Sequence, residues 1–200
     1  MNKILLFITI IVCFLLIVSV YPLINSSQVS DDNIPVIETI YIYEPTFADE
    51  LKNISQVDIT LPKYRNWRSA TEFVNYKNPE LATLICKYYD TPEDWIFYVQ
   101  NIPYLHETSE NWQTPLETII TYTGDCEDCS LLINFGLRSM GYDAGIALFS
   151  GHAIAVIAGN YSGKYFVYDN TNYYAIESGI TYPIGSVMPL YANDSAQLYF

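Results

Sequence analysis

A turn signal followed by an apolar helical pattern constrains the fold of this chain more than any other stretch. Gly124 breaks the preceding segment, Asp125 is a good N-cap, and Asp128 stands where a capping-box carboxylate reaches back to the cap. Apolar residues then recur at helical spacing and also occupy the opposite side, until Gly141 ends the pattern. The stretch therefore predicts a buried helix whose first turn holds Cys126.

The position of Cys126 makes it a candidate nucleophile. A thiol in the first turn of a helix meets free backbone N–H groups and the positive end of the helix dipole, which stabilise the reactive thiolate. The chain has two histidines that could serve as its base. His106 lies in a polar loop with no scaffold to aim it, whereas His152 opens an apolar run of strand length. We therefore expect His152 to be the general base.

The pattern after Gly141 changes from helical to extended. Apolar runs of strand length cover residues 144–149, 152–158 and 165–168, and turn residues separate them. Earlier in the chain, several short helical signals each combine a cap with a proline or early acids. The sequence therefore predicts an α+β fold, in which a helical N-terminal half precedes an antiparallel sheet and the nucleophile helix packs on that sheet.

An acid closes the third of these apolar runs. This acid is Asp169, and His152 opens the second run. An antiparallel pairing of the two strands would bring both residues to one end of the sheet. A carboxylate there would orient the imidazole and fix its tautomer. The sequence therefore predicts that Cys126, His152 and Asp169 form a catalytic triad.

The size and charge of the chain limit its organisation and its partners. Its 200 residues, half of them apolar, suffice for one well-buried core and leave little room for a second domain. The formal net charge is −13, from 22 acidic against 9 basic residues. Such an excess of acid argues against nucleic acid or an anionic membrane surface as a partner, because phosphate binding needs a basic face.

An uncharged apolar run near the N-terminus predicts export. Residues 4–20 follow Lys3 and can span a bilayer if the next apolar residues contribute. No Ala-x-Ala-like site follows, which favours an uncleaved signal anchor over a signal peptide, and Lys3 should stay inside the cell. The expected organisation is an anchor over residues 1–24, a tether and N-terminal extension over 25–60, and an extracytoplasmic domain over 61–200. The membrane is then contacted through the N-terminal helix only.

Four short motifs follow one another in an order that is more specific than any motif alone. They are Trp112-Gln113-Thr114-Pro115-Leu116-Glu117-Thr118, Gly124-Asp125-Cys126-Glu127-Asp128, Gly151-His152 and Tyr168-Asp169. In this order they resemble the transglutaminase-like superfamily, within the papain-like fold, over about residues 65–176. The closest resemblance is to the bacterial transglutaminase-like cysteine proteases, which are exported and calcium-dependent.

This resemblance implies cysteine chemistry on a peptide or protein substrate. It implies Cys126 as the nucleophile, His152 as its base and proton donor, and Asp169 as the group that orients the imidazole. The chemistry of such a triad requires no cofactor, and calcium would be an addition to it. One departure is Ile154, because many relatives carry an aromatic residue two positions after the histidine.

The oxyanion of an acyl-transfer reaction needs hydrogen-bond donors. The backbone N–H of Cys126, at the start of the helix, is one such donor. Trp112 or Gln113 could line the other side of the site and bind substrate there. The simpler interpretation of this pair is an aromatic wall and a helix cap, and the sequence does not decide between the two.

Cys126 and Cys129 together admit two further interpretations. A Cys-x-x-Cys pair in an exported protein could form a disulfide, or could bind zinc together with His152 and Asp169. A structural zinc site would want four soft ligands, and the two acids between the cysteines disfavour the thiolate of a redox pair. We therefore favour the nucleophile, with Cys129 as a small core residue.

Three carboxylates crowd the candidate nucleophile. Asp125, Glu127 and Asp128 should all raise the pKa of Cys126 by like charge. The helix cap uses Asp128, which leaves Asp125 and Glu127 as free ligands for calcium, an ion that prefers oxygen and is abundant outside cells. The resemblance points to the same two positions. The alternative is that Asp125 caps the helix and Glu127 faces solvent.

Two classes of function remain open from the sequence. The first is an exported, membrane-anchored thiol enzyme, either a cysteine protease or amidohydrolase that works through an acyl-enzyme, or a transglutaminase that passes the acyl group to an amine. The second is a non-catalytic surface module that uses the cleft to bind a peptide or a wall polymer. The presence of a cysteine, a histidine and an aspartate in motif order favours the enzyme.

Overall fold

The computed structural model describes residues 45–54, 62–106, 110–179 and 181–200. Its α-helices are α1 Phe47–Leu51, α2 Ala70–Val74, α3 Pro79–Tyr88, α4 Pro92–Gln100, α5 Pro115–Thr121 and α6 Cys126–Ser139. Its strands are β1 Ala144–Phe149, β2 His152–Ala158, β3 Tyr165–Tyr168, β4 Thr171–Ile176 and β5 Gln197–Tyr199. The predicted α+β class, with helices packed on an antiparallel sheet, is confirmed.

Side-chain caps begin the helices that lead to the site. Asn78, Thr91 and Thr114 each accept a hydrogen bond from a first-turn backbone N–H, and a proline follows each of them. Asp125 and Asp128 form a capping box at the start of α6. The caps fix where each helix begins, and the last of them places Cys126 at the first helical position.

Helix α6 is enclosed by the rest of the domain. Helices α3, α4 and α5 pack against it, as do strands β1 and β2. Gly136 lies so close to the Trp95 indole that a methyl group in its place would overlap the ring. The indole Nε1 also donates a hydrogen bond to the carbonyl oxygen of Ile133, at 3.3 Å. A helix enclosed in this way is a rigid support for the residue at its N-terminus.

The strands form one sheet in the order β3-β4-β2-β1-β5. β1 and β2 make a hairpin in which Phe149 is paired with His152. On the other side of β2, Ala155 is paired with Ile176 of β4. The end of β4 therefore lies beside the start of β2.

One strand of this sheet changes the expected pairing. The sequence pattern does not predict β4, which lies between β2 and β3. Because β4 is antiparallel to both neighbours, β2 and β3 run parallel to each other. The start of β2 and the end of β3 are therefore at opposite ends of the sheet.

Helix α1 belongs to the segment predicted as tether and extension. Its Phe47 is buried and packs edge-on against Tyr88, Tyr89 and Tyr98. Edge-on aromatic packing of this kind adds to the stability gained from burial alone. Part of the predicted extension thus contributes to the core of the domain.

The predicted anchor over residues 1–24 lies outside the described residues. Within the four ranges that the structure describes, no helix is both long enough and apolar enough to cross a membrane.

Candidate active site

Cys126 and His152 line the same cleft, which has a volume of about 810 Å³. Cys126 is buried at the start of α6, where the backbone N–H of Asp125 donates to Asp128 Oδ2 at 3.4 Å and closes the cap. His152 is the first residue of β2. The structure thus brings the predicted nucleophile and the predicted base together.

The surroundings of the Cys126 thiol oppose its ionisation. Burial is the largest cause that raises its pKa, and the Glu127 carboxylate adds to it, because Cys126 Sγ donates to Glu127 Oε2 at 3.1 Å. The backbone N–H of Ala153 has the opposite effect, since it donates to the sulfur. This last contact places the thiol against the first residues of β2. Glu127, and to a smaller extent Asp125, therefore oppose the thiolate, as predicted for these two of the three carboxylates.

Glu177 holds the imidazole of His152. The His152 Nε2 atom lies 3.0 Å from Glu177 Oε2, and both side chains are buried. The ring of Tyr191 stacks on the imidazole, with the ring centroids 4.5 Å apart. A proton on Nε2 that is shared with Glu177 leaves Nδ1 as the nitrogen that can exchange a proton with a thiol. A carboxylate and an oriented imidazole are thus in place for a thiol nucleophile.

Glu177 directly follows β4 and is fully buried. Its Oε1 atom accepts a hydrogen bond from the backbone N–H of Met188 at 2.7 Å, and its carbonyl oxygen accepts one from Gln100 Nε2 at 2.8 Å. Hydrogen bonds to an ionised carboxylate are among the strong ones in proteins. Glu177 is not among the predicted site residues, although its place directly after the apolar residues that end β4 was a usable signal.

The structure does not place Asp169 beside His152. Asp169 is exposed in the turn between β3 and β4, where it and Asn170 have φ angles of 45° and 60°. The turn is separated from the His152 end of the sheet by the length of β4, about 20 Å at roughly 3.3 Å per residue. The expected pairing was wrong because the prediction set β3 directly beside β2, whereas β4 lies between them.

Two buried serines connect the segments that carry these residues. Ser130 Oγ, on α6, donates to the carbonyl oxygen of Ala153 at 3.2 Å, and Ser178 Oγ donates to that of Cys126 at 3.2 Å. The two hydroxyl oxygens lie 3.4 Å apart. Each bond ends at, or next to, a residue of the candidate triad. The serine pair therefore fixes α6, β2 and the end of β4 relative to one another.

Trp112 and Gln113 have different environments. Trp112 is buried, lines the cleft and packs against Phe73. Gln113 donates to the Asp128 carboxylate through its backbone N–H at 2.7 Å and through Nε2 at 3.0 Å. Burial raises the pKa of Asp128 to about 6, and the two donors from Gln113 oppose that rise. Trp112 is therefore a wall of the cleft, whereas Gln113 braces the start of α6.

Tyr104 is a residue of the cleft that sequence analysis missed. Its side chain lines the cleft together with Cys126, close enough for the two groups to interact electrostatically. Burial is the largest cause that raises its pKa, and the thiol and the nearby acids add to it. The residue directly follows Pro103 in the loop after α4, where no periodic pattern of apolar residues predicts its position.

Asp125 and Glu127 lie close together beside the thiol. One carboxylate oxygen of each and Cys126 Sγ all lie within 4.8 Å of one another. Burial, followed by the Asp125 carboxylate, raises the pKa of Glu127 to about 8. Asp125 Oδ1 is buried and has no hydrogen-bond partner. Two acids this close need either a shared proton or a cation, and their oxygens suit calcium.

The alternatives that involve Cys129 find no support in its surroundings. Cys126 and Cys129 are free thiols, and Cys129 is buried in the main core. Within the described part of the chain, the one group with metal-ligand spacing is Asp125, Cys126 and Glu127. Cys129 and Asp169 are outside it, so these residues do not form a zinc site.

Comparison with known proteins gave no match to a family model, to a curated protein or to a solved structure. The chemistry of the cleft must therefore be inferred from its own geometry. A thiol at a helix start, whose own backbone N–H can donate to an oxyanion, and an imidazole held by a buried acid are groups that acyl transfer requires.

Proposed function

We propose that the chain is a thiol hydrolase that cleaves a peptide or amide bond through an acyl-enzyme, like the transglutaminase-like cysteine proteases that its motifs resemble. One observation carries this proposal: the buried His152–Glu177 pair, with 3.0 Å between Nε2 and Oε2, lies at the cleft in which Cys126 begins α6. The packing of α6 on β1 and β2 is compatible with the papain-like arrangement that the resemblance implies.

In this mechanism, Cys126 gives its proton to His152 Nδ1 and its sulfur attacks the carbonyl carbon. The tetrahedral intermediate collapses to a thioester, and the departing amine takes the proton from the imidazolium. Water, or a second amine, then attacks the thioester with His152 as base and releases Cys126. Glu177 fixes the tautomer of His152 and stabilises its positive charge.

Calcium is proposed as an activator that the residues Asp125 and Glu127 would hold. The fit rests on the unsatisfied Asp125 Oδ1 atom and on the closeness of the two carboxylates. When bound, the ion would supply positive charge beside the thiol and so favour its ionisation. Without it, the two acids act in the opposite direction.

Export and anchoring complete the proposal. The apolar run at residues 4–20, with Lys3 before it, would hold the domain on the outer side of a membrane. Protease added to intact cells is expected to remove the domain and leave an N-terminal stub. Full protection of the domain would contradict this topology.

The enzymatic proposal can be tested without knowledge of the substrate. p-Nitrophenyl acetate should acylate the full-length protein at Cys126 and release one equivalent of nitrophenolate in a burst. The acetyl thioester should be found by mass spectrometry on the peptide that contains Cys126, and Cys126→Ala should abolish both signals. A labelled peptide library, with and without a primary amine, then separates hydrolysis from acyl transfer. A folded wild-type protein that is not acylated would overturn the proposal in favour of a binding module.

A further inference from the structure

The cleft needs a second oxyanion donor besides the backbone N–H of Cys126. Trp112 and Gln113 are the residues that the sequence suggests for this role. The amide of Gln113 is engaged by Asp128 and also donates to the carbonyl oxygen of Thr123 at 3.3 Å. The side-chain oxygen of Gln113, Oε1, accepts a hydrogen bond from Thr121 Oγ1 at 3.0 Å. A side chain held at both ends in this way is not free to follow a reacting oxygen.

Tyr104 has the position that such a donor needs. Its side chain lines the cleft that Cys126 also lines, and the thiol is near enough to affect the pKa of the phenol. The acyl carbon becomes bonded to that sulfur, so the oxygen of the intermediate is one bond farther away and comes within reach of groups that surround the thiol. A neutral phenol has an ordinary pKa of about 10 and therefore carries its proton at neutral pH.

The backbone around Tyr104 is fixed to the segment that carries the nucleophile. Tyr104 forms a parallel bridge with Gly124, and the N–H of Leu105 donates to the carbonyl oxygen of Gly124 at 2.9 Å. Thr123 Oγ1 donates to the carbonyl oxygen of Pro103 at 3.2 Å. These bonds tie the loop to the residues immediately before α6, so the backbone of Tyr104 is held near the start of that helix.

A second support comes from the end of β4. The ring of Tyr104 packs over Gly179, where a Cβ atom would lie 3.4 Å from Tyr104 Cδ2. Gly179 is two residues beyond Glu177, so the same short segment supports the acid of the triad and the ring of Tyr104. A donor that is held on both sides needs little reorganisation when the oxyanion forms.

We propose that the Tyr104 phenol is the second donor of the oxyanion hole, a role that rests on the acyl-transfer function proposed above. As the carbon–sulfur bond forms, the π-electron pair of the carbonyl moves onto oxygen, and this oxygen accepts hydrogen bonds from the Cys126 N–H and from the Tyr104 hydroxyl. The phenol keeps its proton throughout. When the intermediate collapses, the electron pair returns to the C=O bond and the hydrogen bonds weaken.

The test compares two reagents that use the same thiol. A short peptide aldehyde adds to Cys126 and forms a hemithioacetal, whose oxygen takes the place of the oxyanion of the tetrahedral intermediate, whereas iodoacetamide alkylates the sulfur and places no oxygen there. Tyr104→Phe is expected to weaken binding of the aldehyde by about 10²-fold while the rate of alkylation stays within about twofold of wild type. Tyr165→Phe, on β3 and similarly exposed at 47% against 50%, is the matched control and should change neither.

The outcomes separate this inference from the function on which it rests. Unchanged aldehyde affinity in Tyr104→Phe would overturn the role of Tyr104 and leave the proposed function intact. An equal loss in both reactions would show that the phenol positions the thiol, which also overturns the role in the oxyanion hole. If the wild-type protein is alkylated but binds no aldehyde, the proposed function fails, and the inference fails with it. Thermal midpoints of all variants establish that they are folded.

Discussion

The two ends of the sheet contain acidic residues in opposite environments. At the cleft end, Glu177 is fully buried and bonded to His152 and to the Met188 N–H. At the turn end, Asp169 is exposed in a tight hairpin turn. A buried carboxylate acts on its partner through a low dielectric, whereas an exposed one is screened by water and salt. The difference shows that strand order, rather than position in the sequence, decides which acid can support the histidine.

The largest loss of activity is expected when His152, the residue bonded to Glu177, is removed. His152→Ala is expected to lower the rate of Cys126 acylation by p-nitrophenyl acetate at least about 10³-fold, because the thiol loses its base. The matched control is His106→Ala, since the second histidine lies on the wall of the same cleft. A similar loss in both variants would show that neither residue is specifically the base.

The position of Cys126 relative to His152 can be disturbed without a substitution in the candidate triad. Ser178→Ala removes the hydrogen bond to the Cys126 carbonyl and should lower kcat about tenfold with little change in KM, because the thiol is misplaced relative to His152. The pH profile should shift as well, which loss of stability alone would not cause. Ser139→Ala, which removes a hydroxyl-to-carbonyl bond at the far end of α6, is the control. A tenfold loss of kcat in Ser139→Ala as well would contradict a specific positioning role for Ser178.

Much of this fold could be predicted from the sequence, and the reasons are local. The caps at Asn78, Thr91 and Thr114 mark helix starts because capping depends on a few neighbouring residues. The first turn of α6 could be located in the same way, and with it Cys126. Apolar runs marked β1 and β2 because buried strands keep their polar residues at the ends.

The order of the strands could not be predicted in this way. Thr171 and Asn172 begin β4 with polar residues, so no apolar run marks its start. Periodicity shows that a segment is extended, but it does not show which neighbour the segment pairs with. Once β4 was missed, Asp169 was the nearest acid in the sequence to a strand end, and Glu177 was overlooked. Tyr104 was missed for a similar reason, because its place depends on a loop that folds back onto Gly124.

The acids at the cleft end should make stability depend on pH. The pKa of Glu127 is about 8 in the fold against an ordinary 4.5, and that of Asp128 is about 6 against 3.8. At any pH between the ordinary and the raised pKa of these groups, the folded state therefore binds more protons than the unfolded chain. The free energy of unfolding should then fall as pH rises from about 4 to about 8. Without divalent cations, calorimetry should show the thermal midpoint falling by several degrees, roughly 1 kcal/mol or more, from pH 5 to pH 8.

Two further measurements sharpen this prediction. Glu127→Gln should reduce the change in thermal midpoint at the higher pH values, toward pH 8, because the glutamine amide has no proton to lose in this range. Addition of calcium at pH 8 should raise the midpoint of the wild-type protein and the rate of Cys126 alkylation, by linkage and by charge respectively. A midpoint that rises from pH 5 to pH 8 would contradict the raised pKa values. Equal rates with calcium and with chelator would remove the calcium site.

A small effect is expected one turn along α6 from Cys126. Cys129→Ala should keep acylation of Cys126 within about threefold of wild type, because Cys129 is 1% exposed and packs in the main core. Its cost should be seen in stability instead, at about 1 kcal/mol for a small cavity. If this variant is as inactive as Cys126→Ala, a paired-cysteine or metal role must be reconsidered.

The central claim is that Glu177, and not Asp169, orients His152. The direct test is the pH dependence of Cys126 acylation in Glu177→Gln and Asp169→Asn, measured in parallel with the wild-type protein. Glu177→Gln should lower the maximal rate about 10²- to 10⁴-fold, because an amide can neither fix the tautomer nor stabilise the imidazolium, while Asp169→Asn should stay within about twofold. The opposite result, a normal rate with Glu177→Gln and a large loss with Asp169→Asn, would contradict the assignment of Glu177.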